Sequence, residues 1–145
     1  MLCRSCSMSQ PSSVCSAVEA VTNSLINLYQ TLFCFPADPQ TVIANKLLFH
    51  SVAGFLNVLG AIDCMHVAIK VPAAHKEAYV NRKGVHTINV RAVCDIEMHI
   101  TSLVAKYQGS THDSFIWQSS GLRRLFEDGQ IKNGWLLAKC TLSLL

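Results

Sequence analysis

The sequence has no long apolar run. Roughly 18 to 20 uninterrupted apolar residues are needed for a helix to span a bilayer. The most apolar stretch, Val52 to Val71, is broken by Asn57, Asp63 and His66, so it reads as core and not membrane. The first residues, MLCRSCSMSQPSS, contain no continuous apolar segment, and no secretory signal is expected. The 7 cysteines are odd in number and scattered. Reduced thiols in a reducing compartment are therefore the expectation. Cys3 and Cys6 form a CxxC, but no second pair stands at zinc-site spacing, which leaves an incidental pair. No Gly-x-Ser-x-Gly is present, which argues against a hydrolase elbow. No glycine-rich phosphate loop is present either. Internal repeats and low-complexity segments are also missing.

What remains is a chain of 145 residues, enough for one domain with a real core. Half its residues are hydrophobic and only 14% are charged, which excludes a disordered chain. Mean hydropathy is +0.30. Net charge is +3 and the isoelectric point about 8.5, compatible with a polyanionic partner without requiring one.

Val14, Val18, Val21, Leu25, Leu28 and Leu32 recur at spacings of three and four, which predicts a helix from Ser13 to Leu32. Pro36 ends that segment. Asp38-Pro39 predicts a second helix, with Asp38 as N-cap and Gly54 as the stop. Val58 to Val71, rich in β-branched and apolar residues, reads as a strand buried on both faces. Pro72 to Gly84 reads as loop. His86 to Asp95 alternates as a strand, with Ile88, Val90, Ala92 and Cys94 on one side and Asn89, Arg91 and Asp95 on the other. A hairpin through Asp95 to Met98 leads to a strand over His99 to Tyr107, although no glycine marks the turn. A helix from Asp113 to Gln118, its resumption from Gly121 to Phe126, and a strand beginning at Trp135 complete the order. Three successive strands followed by helix and strand predict an α/β fold: a mixed sheet with helical cover, after two N-terminal helices. Functional groups in such a sheet gather at strand ends and helix starts.

Two carboxylates stand at such places. Asp63 lies within the first strand, in GAIDCMHVAIK, and Asp113 lies at a helix start, in GSTHDSF. A carboxylate in an apolar strand is costly unless paired, hydrogen-bonded or bound to a cation. Together the two could hold a divalent metal, since Mg²⁺ takes hard oxygen ligands and keeps water for the rest. Bound ions about 3.5–4 Å apart can cut phosphodiesters. On pattern alone Asp113 serves equally as an N-cap, and Asp63 as a hydrogen-bond acceptor for a nearby loop. His66 follows Asp63 by three and must face the other side of the strand. The main basic cluster is NRKGVH: Arg82 and Lys83 occupy a turn that Gly84 permits. It reads either as a solvated loop or as a phosphate contact.

Four blocks in order, GAIDCMHVAIKVP, YVNRKGVHTINVRAVCD, GSTHDSFIWQSSGLRRLFEDG and GWLL, resemble the transposase domain of PIF/Harbinger elements and the nucleases derived from it. The resemblance runs from about Val18 to Leu137. It implies a ribonuclease-H-like fold, truncated here, and a DDE-type acidic cluster that uses Mg²⁺ or Mn²⁺ to cut DNA. The cluster's first-strand aspartate falls on Asp63, and the aspartate of the Gly-Ser-x-x-Asp block on Asp113. Asn81, Arg82, Lys83 and Gly84 fall on the substrate side. The resemblance also implies a nuclear location, with the cytoplasm as a second one, and a separate Myb-like DNA-binding partner. MSQPSSVCSAVEAV resembles the tail of the family's helix-turn-helix region.

Two departures stand out. The family continues its GWLL block with Gly-Asp-Ser-Gly-Tyr, whereas this chain has Ala138, Lys139 and Cys140, so a cation replaces an acidic ligand. The family's later glutamate has no counterpart before Leu145. The expectation is a residue 1–12 N-terminus, a helical segment over 13–54, and a partial nuclease domain over 55–145 that is weak or inactive. The alternative is a non-catalytic scaffold or an interaction protein.

Overall fold

The computed structural model describes residues 13–71 and 76–138. The chain divides into two units at the boundary between Leu32 and Phe33. The first holds one helix, α1 (Ser13–Leu32), with the bounds that its three- and four-residue apolar spacing predicts. The CxxC at Cys3 and Cys6, the segment Met8 to Ser12 and Lys139 lie outside the described residues.

The second unit opens with α2 (Pro39–Ala53). Its start and stop are set locally. The Asp38 carboxylate accepts from the Thr41 N–H at 2.9 Å, Pro39 takes the first helical position, and Gly54 closes the helix at φ 72. Four strands follow: β1 (Val58–Ala68), β2 (Thr87–Cys94), β3 (Ile100–Gln108) and β4 (Trp135–Ala138). Between β3 and β4 run α3 (Asp113–Gln118) and α4 (Gly121–Glu127). The sheet order is β3-β2-β1-β4. β1, β2 and β3 pair antiparallel, while β4 lies parallel to β1, so the sheet is mixed. The architecture is a mixed α/β arrangement with two helices ahead of the sheet, consistent with a ribonuclease-H-like fold. Among the described residues no helix is long and apolar enough to cross a membrane.

Apolar burial gathers on α2, the start of β1 and the turn before β4. Val42, Leu59 and Ile131 form its centre, and Phe35, Leu125, Phe126 and Leu136 pack against them. Phe35 and Phe126 meet with ring centroids 6.1 Å apart.

Two local expectations differ from the structure, and a third is explained by it. β1 is not buried on both faces: Val58, Leu59 and Gly60 are buried, and the strand is half or fully exposed from Ala61 onward. Among the described residues its pairing with β4 reaches as far as Ala138, and beyond Ile62 the described neighbour is β2. β2, with neighbours on both sides, is the buried strand, and its polar Asn89 and Arg91 are buried with it. The stretch expected as loop carries a short 3-10 helix over Lys76–Tyr79. The hairpin between β2 and β3 turns without glycine because Met98 takes φ 68, and Asp95 Oδ1 accepts from the Glu97 and His99 N–H groups.

Candidate functional site: a cavity and a basic groove meeting at Asp113

Residues opposite one another on an antiparallel pair share a face of the sheet. Cys64 stands opposite Arg91, His66 opposite Asn89, and Asp63 opposite Ala92. Cys64, His66, Asn89 and Arg91 therefore share one face, and the Asp63 side chain leaves from the other. His66 and Asp63 face opposite ways, as their three-residue separation requires.

Asp113 belongs to the face of Cys64. It is not the N-cap of α3; that position is His112, and Asp113 begins the helix itself. Its carboxylate is held from the sheet: Asn89 Nδ2 donates to Asp113 Oδ1 at 2.9 Å and to the Thr111 carbonyl at 3.0 Å. Asn89 is fully buried, so this clamp fixes the loop ahead of α3 to the centre of β2. Among the described residues Asp63 does not reach a loop; its Oδ1 accepts from the Cys64 N–H at 2.9 Å, one residue beyond Ile62, which pairs with Ala138 of β4. Both carboxylates are exposed, so neither bears the burial cost that the apolar sequence around Asp63 suggested.

Asp63 and Asp113 nevertheless border one cavity of about 730 Å³, together with Cys64, Arg91 and the rings of Trp117 and Trp135. Cys64 senses both acids. Burial, the charge of Asp113, the hydrogen bond to its carboxylate and the charge of Asp63 push the thiol up to about 12, while Arg91 acts the other way. Arg91 is 2% exposed and donates to Ser102 Oγ at 3.1 Å, which places a fixed positive charge in the wall of an acid-bearing cavity. Two carboxylates on one cavity are the hard oxygen donors that a divalent cation takes while keeping water in its remaining positions. In donor type the pair suits such an ion, with Asp113 reaching the cavity from the Cys64 face of the sheet and Asp63 bordering it from the opposite face. Among the described residues, the group of three ligating side chains within reach of one another lies elsewhere. It comprises Asp95, Glu97 and His99 at the β2–β3 turn, within 4.8 Å of each other. Asp95 there is engaged in closing the turn.

The basic segment forms a second wall. Gly84 takes φ 75, and Asn81 Oδ1 accepts from the Lys83 and Val85 N–H groups at 2.9 and 3.1 Å. Asn81 thus shapes the turn that displays Arg82 and Lys83. This turn faces the loop over 109–114 across a groove of about 1050 Å³, which His66 and Thr87 also line. Gly109 makes the approach possible. A Cβ there would collide with Thr87 Oγ1 and the Tyr79 carbonyl, and would sit 2.8 Å from the Thr87 carbonyl. Ser110 then ties the loop to the 3-10 helix, its N–H and hydroxyl both donating to the Ala78 carbonyl at 3.2 and 2.7 Å. Asp113 and Ser114 line both the groove and the cavity, so the two open onto each other.

Sequence reasoning missed Cys64, Asn89, Arg91 and His112. Asn89 and Arg91 did carry a signal, as polar residues alternating with apolar ones in a strand flanked on both sides. Cys64 and His112 carried only adjacency to the two aspartates.

Residues 62–141 match the model of the DDE superfamily endonucleases, a stretch that contains both aspartates. The chain is 42% identical to the bovine protein named "Putative nuclease HARBI1" over 86% of its own length and 36% of that relative's. It is 40% identical to the human protein of that name over the same shares. Likeness extends to the Arabidopsis thaliana "Protein ALP1-like", 29% identical over 66% of this chain and 24% of the relative. No solved structure matches. The chain spans about a third of the length of the curated relatives that it matches most fully. On the extent of the family match and the order of its motifs, this chain belongs to the DDE superfamily endonucleases, among those derived from Harbinger transposases.

Proposed function

We propose that the cavity bordered by Asp63 and Asp113 is the phosphodiester-cleaving site of a DNA endonuclease, in a form that acts weakly or not at all. The single observation that supports this reading is that the two carboxylates border one cavity with the Cys64 thiol under the influence of both. Asp63 and Asp113 would hold Mg²⁺ or Mn²⁺, which when bound supplies charge neutralisation at the cleaved phosphate and an activated water. The chain's own contributions are the Asn89 clamp that orients Asp113, the Arg91 charge behind the cavity, and the basic groove that admits a DNA strand. Weakness follows from Lys139, a cation that stands where the family has an acid.

The test is calorimetric titration with Mn²⁺ beside a plasmid-nicking assay. Weak Mn²⁺ binding abolished by Asp63→Ala and by Asp113→Ala, with nicking at or near background, is expected. Absence of any Mn²⁺ binding removes the metal site and favours a second reading, a scaffold that keeps the fold. The thiol lodged beside Asp113, a soft group in a site for hard ions, is the observation on that side. A nuclear location and a Myb-like DNA-binding partner belong to the same proposal, on the strength of the family alone.

A further inference from the structure

Arg82 is held in place by an unusual partner. Its Nη2 lies 3.0 Å from His112 Nδ1, across 30 positions of sequence. A guanidinium can only donate, so Nδ1 accepts and the imidazole proton sits on Nε2. One of five guanidinium N–H groups is spent on this contact. Among the described residues, the ion pairs are those of His99 with Asp95 and Glu97, and of Arg123 with Glu127. No carboxylate among them neutralises Arg82 or Lys83. Both cations stand at the rim of the groove that opens onto Asp113.

We infer that His112 is a positioning residue: it aims the Arg82 guanidinium over the groove so that its remaining donors grip a DNA phosphate beside Asp113. The backbone supports this aim from both ends. Asn81 fixes the turn that carries Arg82, and Gly109 with Ser110 pins the loop that carries His112. A planar donor set held at one edge presents its other edge for two-point contact with phosphate oxygens. Lys83, on the same turn, adds a point charge. The inference rests on the nuclease reading for the identity of the polyanion.

The experiment is fluorescence anisotropy of a labelled duplex DNA titrated with the full chain in EDTA, at salt from 50 to 200 mM. Each lost phosphate contact lowers the salt slope by about 0.9. Over that fourfold range of salt this changes the affinity ratio by about 3.5-fold. Arg82→Ala is expected to show this loss. His112→Ala should show the same loss, and the double variant no more than either alone. His112→Gln, whose amide oxygen can accept from Arg82, should restore the slope. Both residues are exposed, so none of these changes threatens folding.

Additive losses, an unchanged slope in His112→Ala, or failure of His112→Gln to rescue would overturn the inference, as would the absence of salt-dependent binding. Omitting metal separates this result from the nuclease reading. A chain that shows the coupled loss yet binds no Mn²⁺ keeps the inference and loses the cleavage site. A chain that binds Mn²⁺ but shows additive losses does the reverse.

Discussion

Gly109→Ala is the sharpest perturbation of this architecture. The added methyl would run into the Thr87 hydroxyl oxygen, the Tyr79 carbonyl and the Thr87 carbonyl. Two of these three are backbone atoms of β2 and the 3-10 helix, which cannot step aside by changing rotamer. The loop over 109–114 must therefore lift. Overpacking of this kind costs about 1–3 kcal/mol. Lifting also breaks the two bonds from Ser110 to the Ala78 carbonyl, worth about 1 kcal/mol each. The total is about 3–5 kcal/mol, which for a domain near this size lowers the melting temperature by about 10–20 °C. The assay is thermal unfolding followed by circular dichroism, with Gly121→Ala alongside. Gly121 opens α4, and a Cβ there meets nothing within 4 Å. That change should be neutral or stabilising by about 0.4–1 kcal/mol. A Gly109→Ala protein that melts within about 1 kcal/mol of the parent would refute the claim that the loop is seated against β2.

Other outcomes follow from the local chemistry. Asp38→Ala should lower the melting temperature at pH 7, because the Thr41 N–H loses its acceptor. The hydrogen bonds from Thr41 hold the Asp38 carboxyl below its ordinary 3.8. The cap's stabilisation is therefore complete above that pH and lost as pH falls through the lower folded value, and parent and variant should converge there. Cys64, with its thiol at about 12 against an ordinary 9.0, has about a thousandfold less thiolate at pH 8. The greater nucleophilicity of a more basic thiolate recovers part of this, so iodoacetamide should label Cys64 on the order of tenfold to a hundredfold more slowly than an ordinary thiol. Asp113→Asn should quicken that labelling, as read by peptide mass spectrometry, and an unchanged rate would dissociate the thiol from Asp113.

How far the sequence reveals all this depends on the range of the determining contacts. α2 was legible because its cap, its proline and its terminal glycine lie within one segment. The succession of strands along the chain was legible because alternation and turn signals are local as well, whereas their order in the sheet was not. The turn at Met98 was found without its usual residue, since hydrogen bonds to Asp95 carry a conformation that glycine commonly supplies. β1 was misjudged because apolar composition reports propensity, while burial depends on which strands flank it. Asp63 and Asp113 were singled out, but what holds them was not. Asn89 grips Asp113 across 24 positions, and Arg82 meets His112 across 30. Neither distance has a periodicity to betray it. Asp113 also shows two local readings competing: an acid at a helix start suggests capping, and here the preceding His112 takes that place while the acid turns toward the sheet.

The sealed position of Arg91 divides the surface into two electrical regimes. Mobile ions crowd around Arg82 and Lys83 and blunt their pull as buffer strength rises, but they cannot enter the packed interior of β2 to do the same to Arg91. The pull of the rim on an anion should fade in concentrated electrolyte, while the pull of Arg91 on the Cys64 thiol in the cavity wall should not.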